Sequence, residues 1–409
     1  MKDEIDRLSF AGLLVINALE LTSYFGIIGL YSVYLGDADN GSYIDIEQIA
    51  AYYAGFSILS LVLLIPTGLL MDFRTGKRNG LLIGCALSTL GSGIILLNTV
   101  PFFLVGLFII TLGLGFRSIS ILTLLDRITL GQRNKRLSGL FLLYGSGQLS
   151  IFISQLITKG FVDQAYYQSN FITFFTLSLL ALVVALVVSS RLKRQQEGED
   201  SSFVTQNKRY YWTAAVATMV FSLSFYLYTS DFFMNAYQSE SLDSTSPDMR
   251  HIDIQRSSYA ISVLAAIFVA IAIYTQSKLK LWKVMFLGAI LFAVVLISQT
   301  VIGTLELSPG QQFSGSFILY ALIGVAIMLV NCESQSIVLT NSSSKYKNTW
   351  VAVYMVGLEL PTVVFGTFLL QLPGLQGNLT LFSLLIILPI ITLLLVMRKQ
   401  ANQVGPQET

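Results

Sequence analysis

Histidine and cysteine are nearly missing from this chain, and charge of either sign is scarce. A single histidine, His251, and two cysteines, Cys85 and Cys332, stand in 409 residues. Without clusters of thiols and imidazoles there is no metal-ligand pattern. Two cysteines in separate apolar runs carry no pairing signature and read as small core hydrophobes. No cofactor and no enzymatic activity are expected. Charged residues make up 12% of the chain, the net charge is +2, and no basic cluster exceeds a short loop, which sets nucleic acid aside as a partner. The segment Met1–Arg7 carries three acids, and no small-residue cleavage site follows the first apolar run, so that run is expected to be retained.

What is present is apolar. The chain is 54% hydrophobic and 12% aromatic, with a mean hydropathy of +0.69, a balance that a water-soluble core of this size could not cover with polar surface. The composition predicts an all-α membrane protein. Apolar runs long enough to cross the hydrocarbon core as helices fall at roughly 9–35, 48–71, 79–98, 102–125, 138–158, 170–189, 210–236, 257–277, 281–303, 313–339, 350–371 and 379–397, twelve in all. With the amino terminus in the cytoplasm, 20 basic residues lie in inner loops and tails. Only Lys159, Arg250 and Arg256, 3 in number, lie outside, and Arg117 and Arg127 remain within a span. That asymmetry places both termini in the cytoplasm, with the cell inner membrane as the expected location, and checks the number of spans, because a missed span would scramble every loop after it.

The longest inner connection, 190–209, is polar and of mixed charge and reads as a linker. It separates a six-helix bundle over 1–189 from a second over 210–397, with a tail at 398–409. An even split with both halves starting on the same side suits a duplicated transporter fold. Internal repetition is faint: Asp72-Phe-Arg-Thr-Gly-Lys-Arg78 after span 2 corresponds to Gln276-Ser-Lys-Leu-Lys280 after span 8, which stays basic but lacks the acid and the glycine. The outer loop from about 237 to 256 is the other sizeable polar insert, and no soluble domain is evident.

The loop Gly68-Leu-Leu-Met-Asp72-Phe-Arg-Thr-Gly76-Lys-Arg78 resembles the signature that the major facilitator superfamily carries between helices 2 and 3. Its glycine falls four residues after the aspartate, the spacing of one branch, the proton-dependent oligopeptide transporters. Span 1, with Asn17, Glu20-Leu21-Thr22-Ser23-Tyr24-Phe25-Gly26 and then Tyr34-Leu35, is similar to that branch's first helix, E-x-x-E-R-F-x-Y-Y-G followed by Y-L. Span 5, from Gly139 through Tyr144 and Gln148 to Ser150, resembles its fifth helix without a gap, with Gln148 at an asparagine. Arg117 and Asp126 keep the nine-residue spacing of its helix-4 lysine and aspartate. The resemblance covers spans 1 to 5 and implies the superfamily fold, with twelve transmembrane helices in two six-helix halves. The sequence departs from it where Asn17 replaces the first glutamate and Leu21 the arginine, so that two acids and two bases become one of each. Bacterial members often carry two more helices between the halves, for which this linker is too short.

Intramembrane charges are costly and mark function by default. Glu20 on span 1 and Arg117 on span 4 both fall near mid-membrane, as a proton- or substrate-linked pair or as a structural ion pair. Tyr24 and Gln148 line the cavity by resemblance, or serve as ordinary packing groups. Asp72, Arg78, Asp126 and Arg127 lie at cytoplasmic helix ends, as a gating latch or as plain interfacial charge. The second half offers Asp231, Glu333 and Glu359. The family's helix-10 substrate-binding glutamate aligns with Met328, and Glu333 follows five residues on. Glu359, two residues before Pro361, is a second proton-site candidate, or it bonds backbone freed by the proline.

The resemblance implies proton-coupled uptake of short peptides or peptide-like small molecules by alternating access, with protons, the substrate and the lipid bilayer as partners. One carboxylate suffices energetically: a proton falling through about 150 mV carries roughly 3.4 kcal/mol, enough for about 300-fold accumulation. A major-facilitator exporter of lipophilic or drug-like solutes is the alternative, and a non-transporting membrane subunit or receptor that keeps the fold is a third.

Overall fold

The structure, a computed structural model, describes residues 2–36, 44–130, 132–162, 167–193, 207–240, 247–276, 282–305, 309–343, 345–368, 390–391 and 394–395. Among these residues the chain forms eleven long helices: α1 (Lys2–Gly36), α2 (Ile46–Leu70), α3 (Gly76–Ile95), α4 (Val100–Ile128), α5 (Arg133–Val162), α6 (Tyr167–Lys193), α7 (Lys208–Glu240), α8 (Pro247–Thr275), α9 (Lys283–Thr304), α10 (Pro309–Asn341) and α11 (Lys347–Phe368). Each contains or nearly coincides with one of the first eleven apolar runs. The twelfth run, 379–397, lies almost wholly outside the described residues, as does most of the linker. The expected outer loop is corrected, because α7 continues through Glu240 and α8 already begins at Pro247. Polar turns prolong both helices past the apolar length that a bilayer requires.

Seven stretches among the described residues are long and apolar enough to cross a membrane. One of them, Ala51–Ile95, runs through α2 and α3 together. Their large apolar side chains stay exposed, Val62 by 62% and Leu90 by 55%, as a lipid-facing surface requires. In lipid, helices gain nothing by hiding leucine from hydrocarbon, so packing and interhelical hydrogen bonds hold the bundle.

The chain divides into two compact units, 1–206 with 339–356, and 207–338 with 357–409. In the first, α3 and α4 meet backbone to backbone. A Cβ on Gly84 would lie 2.7 Å from the Arg117 nitrogen and 2.9 Å from the Gly113 carbonyl oxygen, and one on Gly91 would lie 2.6 Å from the Gly106 oxygen. Only glycine admits that approach. On α1, Asn17 Nδ2 donates to Ser146 Oγ at 2.9 Å and to the Leu143 carbonyl at 3.2 Å, and Ser150 Oγ donates to the Ala18 carbonyl at 2.9 Å, stitching α1 to α5. Ser23 Oγ donates to the Phe174 carbonyl at 2.9 Å, tying α1 to α6. Tyr34 closes one end of the unit, its ring 4.9 Å from Phe103, 5.3 Å from Phe171 and 5.4 Å from Tyr167.

In the second unit Ser334 of α10 donates to the Ala214 carbonyl of α7 at 3.0 Å and accepts from Thr218. Gly288 of α9 lies against α10, where a Cβ would be 2.9 Å from the Ala326 oxygen.

Candidate functional site

Two groups of charged side chains stand out in the first unit. The deeper one is Glu20 with Arg117, whose Oε2 and Nη1 are 3.6 Å apart, each side chain 2% exposed. The pair sits among α1, α3 and α4, with Ser88 and Cys85 of α3 beside the carboxylate. The ion contact is long, and the polar groups beside the carboxylate, Ser88 and Cys85, are neutral, so the pair is not part of an extended charged network. Such a pair tolerates the loss of one charge badly, because the survivor is left buried and unpaired. Gly84 is what lets Arg117 come this close to α3. One turn further along α1, Ser178 donates to Ser23 at 3.0 Å, and Thr89 donates to the Ser178 carbonyl at 3.1 Å, so a hydroxyl-lined seam adjoins the pair.

Asn17 and Leu21, which stand where the resembled family has charge, face α5: Asn17 bonds Ser146, and Leu21 lies at Gly147. Their neutrality fits a helix seam. Tyr24 and Gln148 are half-buried, with the Tyr24 ring 5.3 Å from Phe25.

The second group lies at the end of the unit where α2 turns into α3. A five-residue π-helical turn, Met71–Thr75, carries Asp72, and Gly76 ends it at φ 68°, ψ 163°, a conformation essentially restricted to glycine. The Asp72 carboxylate accepts four hydrogen bonds from the first turn of α11. They come from Asn348 N at 3.1 Å, Asn348 Nδ2 at 2.8 Å, Thr349 N at 2.8 Å and Thr349 Oγ1 at 2.6 Å. A carboxylate there satisfies amides that a helix start leaves unpaired and complements the positive end of its dipole. Gly68 lets α2 reach this segment, since a Cβ would lie 2.8 Å from the Asn348 oxygen and 2.9 Å from Ala352 Cβ.

Beside it, Asp126 at the end of α4 pairs with Arg136 Nε of α5 at 2.9 Å and with Lys347 Nζ of α11. Arg136 also donates to Thr340. Arg78 and Arg127 make no ion pair among the described residues. The sequence pointed to the two acids but missed Arg136, Thr340, Lys347, Asn348 and Thr349. Asn and Thr at the start of an apolar run were the only available signal.

Glu333 and Glu359 belong to the second unit. Glu333 is fully buried, and its carboxylate accepts from Met285 N in the first turn of α9. The turn before that helix is set by Trp282, buried and in the left-handed region at φ 66°. Glu359 is half-buried on α11, and Pro361 lies inside the same helix.

The sequence pattern of the Major Facilitator Superfamily matches residues 7–366. The chain belongs to that superfamily. No curated protein matches the sequence. The superfamily fold recurs in solved structures of similar length. A POT family transporter in complex with a thioalcohol-conjugated peptide is 16% identical, with 96% of each chain covered and a TM-score of 0.67. The Major Facilitator Superfamily transporter FucP in its outward conformation is 14% identical over 95% of this chain and 98% of its own, also at 0.67. The human organic anion transporter MFSD10 (TETRAN) is 12% identical over 95% and 99%, at 0.71. At these identities the likeness shows the fold alone.

Proposed function

We propose that this superfamily member is a secondary active transporter that takes up short peptides or peptide-like solutes with protons by alternating access. The observation that carries the proposal is the Glu20–Arg117 pair, buried between α1 and α4 beside seams of neutral hydroxyls and amides. A buried carboxylate whose ion contact is long is suited to exchange its bond to Arg117 for a proton. Protonation then frees Arg117, the cation with which a peptide carboxylate would compete. Tyr24 and Gln148 are proposed to line the substrate path, with Glu333 as a further contact and Glu359 as a second proton site.

We assign Asp72 and Asp126 to a cytoplasmic latch on the α10–α11 connection. Arg78 and Arg127 add positive charge at the same end. Its cytoplasmic location, like that of both termini, rests on the 20-to-3 distribution of basic residues. A second reading, export of lipophilic solutes, is favoured by Leu21 and Met328, apolar where the peptide-transporting branch carries charge.

Uptake of a labelled dipeptide into proteoliposomes separates the readings. Accumulation that requires an inward proton gradient supports the first. Dipeptide indifference, with gradient-driven movement of a lipophilic cation or dye, supports the second and overturns the first.

A further inference from the structure

The latch has an outer surface that its own bonds do not use. Phe73, next to Asp72 in the π-helical turn, is 65% exposed, and its ring meets Tyr346 edge-on at 5.8 Å. Lys345 Nζ lies 5.2 Å from the centre of the Tyr346 ring. Arg74 follows Phe73 in the chain, and both Arg74 and Lys345 are exposed, without an acid partner among the described residues. The nearby acid, Asp72, is spent on neutral donors of α11. In the last turn of α2, Leu69 and Leu70 are 38% and 41% exposed.

Two aromatic rings in contact and two exposed cations next to them in the chain, at a membrane-spanning helix end whose last turn exposes leucine, match the three layers of a phospholipid. Acyl chain meets leucine, the interfacial zone meets the aromatic edge, and phosphate meets the cations.

We propose that Phe73, Tyr346, Arg74 and Lys345 form a binding site for an anionic phospholipid of the cytoplasmic leaflet. Tyr346 directly precedes Lys347 and Asn348, which hold Asp126 and Asp72. A headgroup on Lys345 and Tyr346 therefore restrains the same short connection that the latch grips and favours its closed state. This consequence rests on the latch reading, whereas binding does not.

The test uses full-length protein carrying Ser138→Cys near the inner mouth, in phosphatidylcholine with or without phosphatidylglycerol. Native mass spectrometry of detergent-extracted protein should show selective retention of phosphatidylglycerol, weakened about fivefold for each cation removed in Arg74→Gln and Lys345→Gln. Phe73→Ser should lower it as well. In vesicles, phosphatidylglycerol should slow labelling at position 138 from the cytoplasmic side, and the double glutamine variant should lose that response. Retention of phosphatidylglycerol by the double variant at the wild-type level overturns the site. So does equal weakening by soluble glycerol phosphate, which would mark a free-phosphate site. If retention follows the variants while Asp72→Asn leaves labelling unchanged, the lipid site stands and the latch falls. If Asp72→Asn speeds labelling but the charge variants retain lipid normally, the latch stands and the lipid site falls.

Discussion

At the scale of single residues, Glu20 and Asp72 are held in opposite ways. Glu20 has one distant cation with Ser88 and Cys85 beside it, whereas Asp72 accepts from four donors of one helix start. Removing the charge should therefore do different things. Glu20→Gln should abolish gradient-driven accumulation while counterflow exchange of preloaded substrate persists. Accumulation at the wild-type level in that variant would move coupling to Glu359. Arg117→Ala leaves Glu20 buried beside a void, which should cost about 3–5 kcal/mol of stability and weaken binding of a zwitterionic substrate by about 2 kcal/mol or more. Arg117→Lys should restore part of both. Thermal unfolding in detergent and equilibrium binding measure the two losses, and wild-type values for the alanine variant would reduce the pair to a packing device. Asp72→Asn keeps an acceptor but loses the charge, forfeiting about 1.5–3 kcal/mol for a charged hydrogen bond. The expected result is faster labelling of Ser138→Cys from the cytoplasmic side, with native Cys85 and Cys332 controlled for. Unchanged or slower labelling would leave Asp72 as mere helix-end charge.

Elements are positioned here by glycines more than by apolar burial. Gly84→Ala places a methyl 2.7 Å from the Arg117 backbone, and overpacking of that kind costs about 1–3 kcal/mol. The melting temperature should fall and transport with it, because Arg117 is displaced from Glu20. Gly55→Ala, with nothing within 4 Å of the added atom, is the control and should leave both measurements at wild type. Gly68→Val acts at the other end of the first unit, forcing α2 away from Asn348 and Ala352. It should speed Ser138→Cys labelling as Asp72→Asn does, and labelling at the wild-type rate would show that α2 yields without opening the latch. The sequence marked Gly68 and Gly76 as part of a loop signature. It did not show that the first permits a helix contact and the second a φ of 68°.

For the whole molecule, orientation is the broadest prediction. Cysteines introduced at Ser190 and at Gln400, after replacement of the native pair, should react with an impermeant reagent only from the cytoplasmic side. Reaction of either from outside would reverse the reading of the basic residues and move the Asp72 latch to the other face.

Hydropathy and charge placement by themselves determined the class of the protein and the positions of eleven helices, because a bilayer imposes its thickness on every apolar run and its potential on every loop. They also singled out Glu20 and Arg117, because ionisable groups at mid-membrane need a reason to be there, whereas Asp72 and Asp126 were marked by the family loop signature and by the spacing from Arg117. Partnership was not legible. That Asp126 reaches Arg136 and Lys347, that Asp72 caps α11 some 276 positions away, and that Glu333 turns onto the start of α9 all depend on which helix faces meet. Those faces are chosen by backbone approach at glycines and by hydroxyl and amide seams between helices, and lipid gives no apolar periodicity from which to read them.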